Sequence, residues 1–564
     1  MSNNDLSVLI LGLDGATFDL MLPWIEQGHL PTLGGLLEGG AHSRLASTIP
    51  PITPCAWSSF MTGKNPGKHG LFDFVEPIPG SRGFRFTNAS SRRGKSLWGI
   101  LSEAQQRVGV VNVPMTYPPE EVNGFLISGL DTPHEHSPFM FPASLRQQLK
   151  AQQIGYRIDL QHLGNMRTDA RRQKQLDDIF RAETERTRAM KYLSGAYPSD
   201  FRMIVYGATD QVQHHFWHYM DRRHDKYDAA GAKKFQNAIR DTYIHIDGCI
   251  ASLLEDQDRE TVVVVMSDHG FGPTTGVRLR LNQVLEDAGL LTFVKERQSG
   301  RVKRALAGVL DKLLRSTLSP DMKRTIAGLL PGVRVWFERL DEAEVDWDQT
   351  RAYVNEAYRS SPAIWINRRN GQAEGNTEAI AEGVASILKL LLDPHTKQPV
   401  VANVYRTRDL YHGPFADRAP ELLPSWWEDG FLLDQSIPNG PRELLVERSE
   451  TPIQGGVEFA GSHRLDGVFM IAGGPVRPGL EFQGAEIIDV APTVLYLMGQ
   501  PVPADMDGRV LTECLDPQFV ADHPIRFQDE MGEVPDDQEP AHRAFSEDES
   551  AMIARRLQAL GYIK

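Results

Sequence analysis

Five short apolar runs dominate what this chain can fold into: Leu6–Gly12, Arg107–Val113, Phe201–Tyr206, Thr261–Met266 and Val468–Ala472, each stopping at a polar or glycine-rich turn. Runs of this length without polar alternation are the mark of strands buried on both faces, which occur in parallel sheets covered by helices. Segments between them carry apolar residues at helical spacing. In Asp241–Leu254, for example, Ile244, Ile246, Ile250 and Leu253/Leu254 suit a helix packed on the sheet. Alternating strand and helix predict a doubly wound α/β core.

The rhythm fails between roughly Leu281 and Glu450, where helical, Trp-rich and Pro-rich pieces intervene. We read this stretch as an inserted cap lobe. The expected organisation is a first part of the core over 1–280, a substrate lobe over 281–450, a second part of the core over 451–528, and an acidic tail with a short helix (Ser550–Leu560) over 529–564. Within the lobe, Lys295–Arg339 holds eleven Lys/Arg against four Asp/Glu. Solvated amphipathic cap helices are the reading preferred over an anionic-ligand or membrane-surface patch. The lobe aromatics Trp336, Phe337, Trp365, Trp426 and Trp427 are read as core ahead of a stacking platform.

Composition narrows the function. The 564 residues carry 60 Lys+Arg against 74 Asp+Glu, a net charge of −14, which disfavours gripping nucleic acid and favours a small diffusible substrate. Three scattered cysteines (Cys55, Cys249, Cys514) support neither a disulfide framework nor a cysteine zinc site. The polar start Met1–Asp5 lacks a signal peptide's basic region, and no run reaches the roughly 20 apolar residues of a membrane span. A cytoplasmic location is expected.

Chemistry-bearing residues gather where the runs end. Asp14 follows the first. Asp210 follows Phe201–Tyr206, with His214 one helical turn on, so a helix starting there would place both on one face. Asp268 and His269 end Thr261–Met266, and His463 sits just before the last run. Singly, each has a structural explanation as turn, cap or core residue. Together they are three carboxylates and three imidazoles mostly at the carboxyl edge of a parallel sheet, where open α/β folds place ligands. Such mixed donors suit zinc, with manganese or iron as alternatives, and suffice for two ions. In Pro50-Pro51-Ile52-Thr53-Pro54, Thr53 reads as the N-cap of a helix ending at Gly63. A hydroxyl there is either a cap or a nucleophile beside an anion site.

In this order, Asp14, Thr53-Pro54 with Thr62–Gly70, Asp210/His214, Ser267-Asp268-His269-Gly270 and Gly461-Ser462-His463 resemble the alkaline phosphatase superfamily, most closely its type I phosphodiesterase/nucleotide pyrophosphatase branch. The resemblance covers roughly residues 5–280 and 455–515. It implies an alkaline-phosphatase-like sheet and two divalent ions. Asp210, His214 and His463 would hold one; Asp14, Asp268, His269 and the Thr53 oxygen would hold the other. Thr53 would then attack phosphorus, giving a phospho-threonine that water hydrolyses.

The pattern departs from nucleotide pyrophosphatases in two places. Leu71-Phe72-Asp73-Phe74 offers no asparagine about twenty residues after the nucleophile, and Cys55-Ala56-Trp57 replaces a Pro-Asn-His run. Both weigh against nucleotide substrates. Lys64 or Lys68 is a candidate replacement contact, although loop lysines are the simpler reading; His69 reads as loop packing. Thr53 followed by Pro54 does not fit the Cys/Ser-x-Pro-x-Arg nucleophile of sulfatases, nor does the chain match cofactor-independent phosphoglycerate mutase. The expected activity is hydrolysis of a phosphoric diester, with a monoesterase or phosphotransferase, and then a silent binding protein, as rivals.

Overall fold

The computed structural model describes residues 6–78, 84–158, 166, 168–255, 261–294, 345–354, 363–368, 374–434, 445–448, 459–529 and 545–560. The basic segment 295–339, with Trp336 and Phe337, and most of the acidic stretch (530–544) lie outside them.

The core is a ten-stranded sheet. Its principal strands are β1 (Ser7–Leu13), β2 (Gly40–Ala46), β3 (Val108–Val113), β4 (Gly124–Ser128), β5 (Met140–Phe141), β6 (Phe201–Tyr206) and β7 (Thr261–Met266). A two-stranded antiparallel ribbon joins β8 (Gly270–Pro273) to the sequence-distant β9 (Gly461–Arg464), which leads into β10 (Asp466–Ala472), and β11 (Leu480–Glu481) forms an edge. The spatial order is β11-β2-β10-β7-β1-β6-β3-β4-β5, with Ala485–Glu486 also on β2. All five apolar runs are strands, and they form the contiguous middle of the sheet; β7 and β6 match their expected spans, and β10 begins two residues early.

Strands β4, β3, β6, β1 and β7 are mutually parallel, with Leu13 opposite Tyr206 and Gly12 opposite Met266. Strand β10 runs antiparallel to both β7 and β2, so β2 points the same way as the parallel block. Period-two alternation sorts β1 onto both faces: Leu9, Leu11 and Leu13 join one apolar cluster, Val8 and Ile10 another. Helices α2 (Asp169–Ala196) and α4 (Ala238–Leu254) cover the first face. Helix α1 (Thr53–Thr62), through Trp57 and Phe60, covers the second. The expected doubly wound α/β architecture is therefore observed.

A third apolar cluster gathers buried residues between Val277 and Val446. Val277–Arg280 pairs with Leu432–Asp434 and Val446–Arg448, and a four-stranded sheet joins Ala352–Val354, Ile364–Ile366, Leu422–Pro424 and Val404–Arg406. Trp426 and Trp427 are buried there, as core residues, and Ile52 and Cys55 of the α1 turn belong to the same cluster. The terminal helix α5 (Glu547–Leu560) starts three residues before the expected Ser550 and buries Ile553 and Leu557 in the main core. Among the described residues no helix is long and apolar enough to cross a membrane.

Candidate active site

The strand directions bring every singled-out residue to one edge. Asp14, Asp210 and Asp268 follow the carboxyl ends of β1, β6 and β7, and Thr53 follows that of β2. Because β10 is reversed, His463 reaches the same edge from just before that strand's beginning.

Helix α3 (Ala208–Met220) carries Asp210 and His214 one turn apart, as the spacing predicts. His214 Nε2 lies 3.2 Å from Asp210 Oδ1 and 3.1 Å from His463 Nε2, and His463 Nε2 is 3.3 Å from the same Asp210 oxygen. These three form one buried cluster suited to a metal ion. Asp14, Asp210 and His269 form a second. His269 Nε2 stands 3.7 Å from Asp14 Oδ1, 3.3 Å from Asp268 Oδ2 and 3.5 Å from Thr53 Oγ1. Asp210 thus stands between the two sets, whereas the resemblance assigned it to one.

All three imidazoles are oriented alike. Their Nδ1 atoms donate to main-chain carbonyls: His214 to Gly461 (2.9 Å), His463 to Pro51 (2.8 Å) and His269 to Gly270 (3.1 Å). Each bond fixes the tautomer that leaves the Nε2 lone pair facing the carboxylates, as metal-ligating histidines require. His214 and His463 so oriented point two lone pairs at one another, an arrangement that a shared cation relieves.

The carboxylates make the same case. Burial, then the charges of Asp268 and Asp210, raise Asp14 well above the ordinary carboxylate range, while the Trp57 indole opposes. Burial and Asp210 push Asp268 up to about 8. For Asp210 burial acts upward too, but His214 and His463 outweigh it and hold the group well below its usual value. His269 is held well below its ordinary value by burial and by His463, and His463 is lowered mainly by burial. Asp14 Oδ1 and Asp268 Oδ2 are buried without a hydrogen-bond donor. Three crowded buried carboxyls, with imidazole lone pairs beside them, fit divalent cations.

Thr53 differs from its expected role as a cap. Ile52 occupies the N-cap with extended backbone and supplies no side-chain cap; Thr53 is the first helical residue and Pro54 the second. Its hydroxyl, fully buried, turns to His269 and not to the helix amides. Gly63 ends α1 in the left-handed conformation, as expected. Helix α1 sits close because Gly12 lacks a Cβ: one would lie 2.8 Å from the Trp57 ring and 2.8 Å from Val205. Gly15, at φ +66°, turns its amide onto Asp268 Oδ1 (3.2 Å).

Lys64 and Lys68 are engaged by Asp505 and Asp507, and His69 is buried between Ser59 and the Leu71 amide, so all three serve the loop. Asp73 is buried and accepts the Phe74 amide. Two residues inside the quoted α3 motif escaped the sequence reading. Thr209 and Gln213 are themselves one turn apart and bind the β1 loop, a pairing that their i,i+4 spacing signals.

Comparison with curated proteins gives no match. Among solved structures, murine ectonucleotide pyrophosphatase/phosphodiesterase 5, as an inactive variant in complex with AMP, is 10% identical over 91% of this chain and 100% of that chain, with a TM-score of 0.48. The human protein of the same name is 11% identical over 92% of this chain and 99% of that chain, with a TM-score of 0.46. The profile described as "Type I phosphodiesterase / nucleotide pyrophosphatase" matches residues 8–424, which include six of the seven residues gathered at this edge. On that match the chain belongs to the type I phosphodiesterase/nucleotide pyrophosphatase family, and it is a phosphoric ester hydrolase.

Proposed function

We propose that the protein is a metal-dependent phosphodiesterase that cleaves a small phosphoric diester through a phospho-Thr53 intermediate. The observation that carries this reading is the Thr53 hydroxyl, which is buried, makes no capping bond, and lies 3.5 Å from His269 Nε2 where two ligand clusters adjoin. Asp210, His214 and His463 would hold one divalent ion, and Asp14, Asp268, His269 and the Thr53 oxygen the other. Zinc is the first choice for this donor set and manganese or iron the alternatives. When bound, such ions lower the pKa of a hydroxyl and stabilise charge on phosphoryl oxygens.

The chain's own groups supply the rest. With Ile52 providing no cap and Pro54 having no N–H, the amides of Thr53 and Cys55 and the dipole of α1 would be what faces a phosphoryl oxygen. Thr53 Oγ1 forms a bond to phosphorus as the bond to the leaving alcohol's oxygen breaks, and that oxygen takes up a proton. Water then displaces Thr53, restoring the hydroxyl and releasing the monoester. The three free, buried cysteines accord with a reducing compartment, and we assign the protein to the cytoplasm.

Purified protein offered bis(p-nitrophenyl) phosphate and p-nitrophenyl phosphate separately should prefer the diester; a preference for the monoester would reverse the assignment. Thr53→Ala should abolish turnover while retaining bound metal, and persistent activity would remove Thr53 as nucleophile.

A further inference from the structure

The two ligand clusters come from segments far apart in sequence, so something must fix the distance between them. Helix α3 supplies Asp210 and His214; the β1 loop supplies Asp14 and, through the Gly15 amide, orients Asp268. Two side chains of α3 bind that loop. Thr209 Oγ1 donates to the Asp14 carbonyl at 2.5 Å, and Gln213 Nε2 donates to the Gly15 carbonyl at 2.8 Å. Gln213 is itself held, since its Oε1 accepts from Tyr243 Oη (3.4 Å), which accepts from the Thr17 amide (3.4 Å). Thr209 and Gln213 are almost wholly buried, as is Tyr243.

Gly15 is the link. Its carbonyl takes the Gln213 bond and its amide gives the Asp268 bond, so the position of α3 is passed through one peptide residue to a ligand of the other cluster. On the opposite side α3 is fixed to β9: the Ala460 amide donates to the His214 carbonyl (2.7 Å), and a Cβ on Gly461 would lie 2.7 Å from the Gln213 carbonyl. Two i,i+4 pairs thus run along neighbouring faces of one helix. Asp210 and His214 face the ligand cluster; Thr209 and Gln213 face the loop that bears the other ligands.

We propose that Thr209 and Gln213 are positioning residues that set the spacing between the two ligand clusters and hence the alignment of Thr53 with the phosphoryl group. This rests on the two-ion reading above. Neither residue touches a reacting atom; each acts through Asp14 or Gly15. Misplacement by about 1 Å costs about 10²-fold in rate, so loss of one anchor should lower kcat about 10- to 100-fold and leave KM within about threefold.

The test uses full-length protein loaded with Mn²⁺, with Thr209→Val and Thr209→Ser compared. Valine keeps the β-branched shape and loses the hydroxyl; serine keeps the hydroxyl and loses the methyl. Wild type should bind two Mn²⁺ per chain and show the electron paramagnetic resonance signature of a coupled pair. Thr209→Val should still bind two with an altered coupling and the lower kcat, and Thr209→Ser should restore both. Coupling and kcat unchanged in Thr209→Val, or a larger loss in Thr209→Ser than in Thr209→Val, would overturn the proposal. Fewer than two Mn²⁺ in wild type would instead overturn the two-ion reading beneath it. If Thr209→Val does not fold, Gln213→Met removes the second donor at similar volume and is read the same way.

Discussion

Replacing Gly12 by alanine adds one methyl group at the tightest point between β1 and the helix that carries Thr53. The new Cβ would stand 2.8 Å from Trp57 Cη2 and 2.8 Å from Val205 Cγ2, where ordinary contact begins at 3.4 Å. Trp57 is fully buried, and Val205 belongs to the central strand β6. Neither ring nor strand has free volume to retreat into, so relief must come from moving α1 outward by about 0.6 Å. Overpacking of this kind costs about 1–3 kcal/mol, a fall in Tm of roughly 1–3 °C for a chain of this size. The same movement displaces Thr53, one turn before Trp57, from His269, which should lower kcat on bis(p-nitrophenyl) phosphate about tenfold. Bound metal should stay at the wild-type level, because no ligand is removed. Gly35→Ala is the control: a Cβ there meets nothing within 4 Å, and the residue lies in a helix, so stability should hold or rise. Wild-type kcat and Tm in Gly12→Ala, or equal losses in Gly35→Ala, would refute the packing argument.

Asp507 accepts from Lys68 Nζ (2.6 Å), the Asn65 amide (2.8 Å), Asn65 Nδ2 (2.9 Å) and His412 Nε2 (2.9 Å). Burial acts upward on this carboxyl, but the donors prevail and bring it down to about 2. A folded value below the unfolded one of about 3.9 gives stability present above about pH 4 and lost as pH falls toward 2. Asp507→Asn should therefore cost about 1–2 kcal/mol at pH 6 and much less at pH 2, read by guanidinium titration at both. Glu183 Oε1 accepts the Ala208 amide at the start of α3 (2.9 Å) and pairs with the buried Arg186. Glu183→Ala should cost about 3–5 kcal/mol in denaturant unfolding, and Glu183→Gln less, because it retains an acceptor for that amide. Chelation should abolish diester hydrolysis and lower Tm, with Zn²⁺ or Mn²⁺ restoring both; saturation at a hundredfold over Kd adds about 2.7 kcal/mol per site.

The core and the clustering of the Asp and His residues were legible because their signals are local. An apolar run such as Thr261–Met266 has no partly exposed face to blur its ends, and Asp210/His214 carry their geometry in their spacing. What was misread depends on contacts distant in sequence. The Thr53-Pro54 pattern predicts a cap because that rule counts only nearby amides, yet His269, 216 residues on, competes for the hydroxyl. Thr209 and Gln213 sit in a motif read for its metal ligands, while their partners lie 195 and 198 residues earlier. Val277–Arg280 pairs with strands at 432–434 and 446–448, a register that no window of sequence contains.

One reversed strand makes the site possible. Were β10 parallel to β7, His463, which precedes it, would enter at the opposite edge of the sheet, and no local feature of Gly461–Arg464 could return it. Running antiparallel between β7 and β2, β10 presents its beginning to the edge where β1, β6 and β7 end. The β8–β9 ribbon then holds His463 with its Nδ1 on the Pro51 carbonyl, two residues before Thr53. That single bond orients an imidazole of one cluster and ties it to the turn that carries Thr53, the proposed nucleophile. The geometry of the reacting groups is thus a property of strand direction first and of side-chain chemistry second.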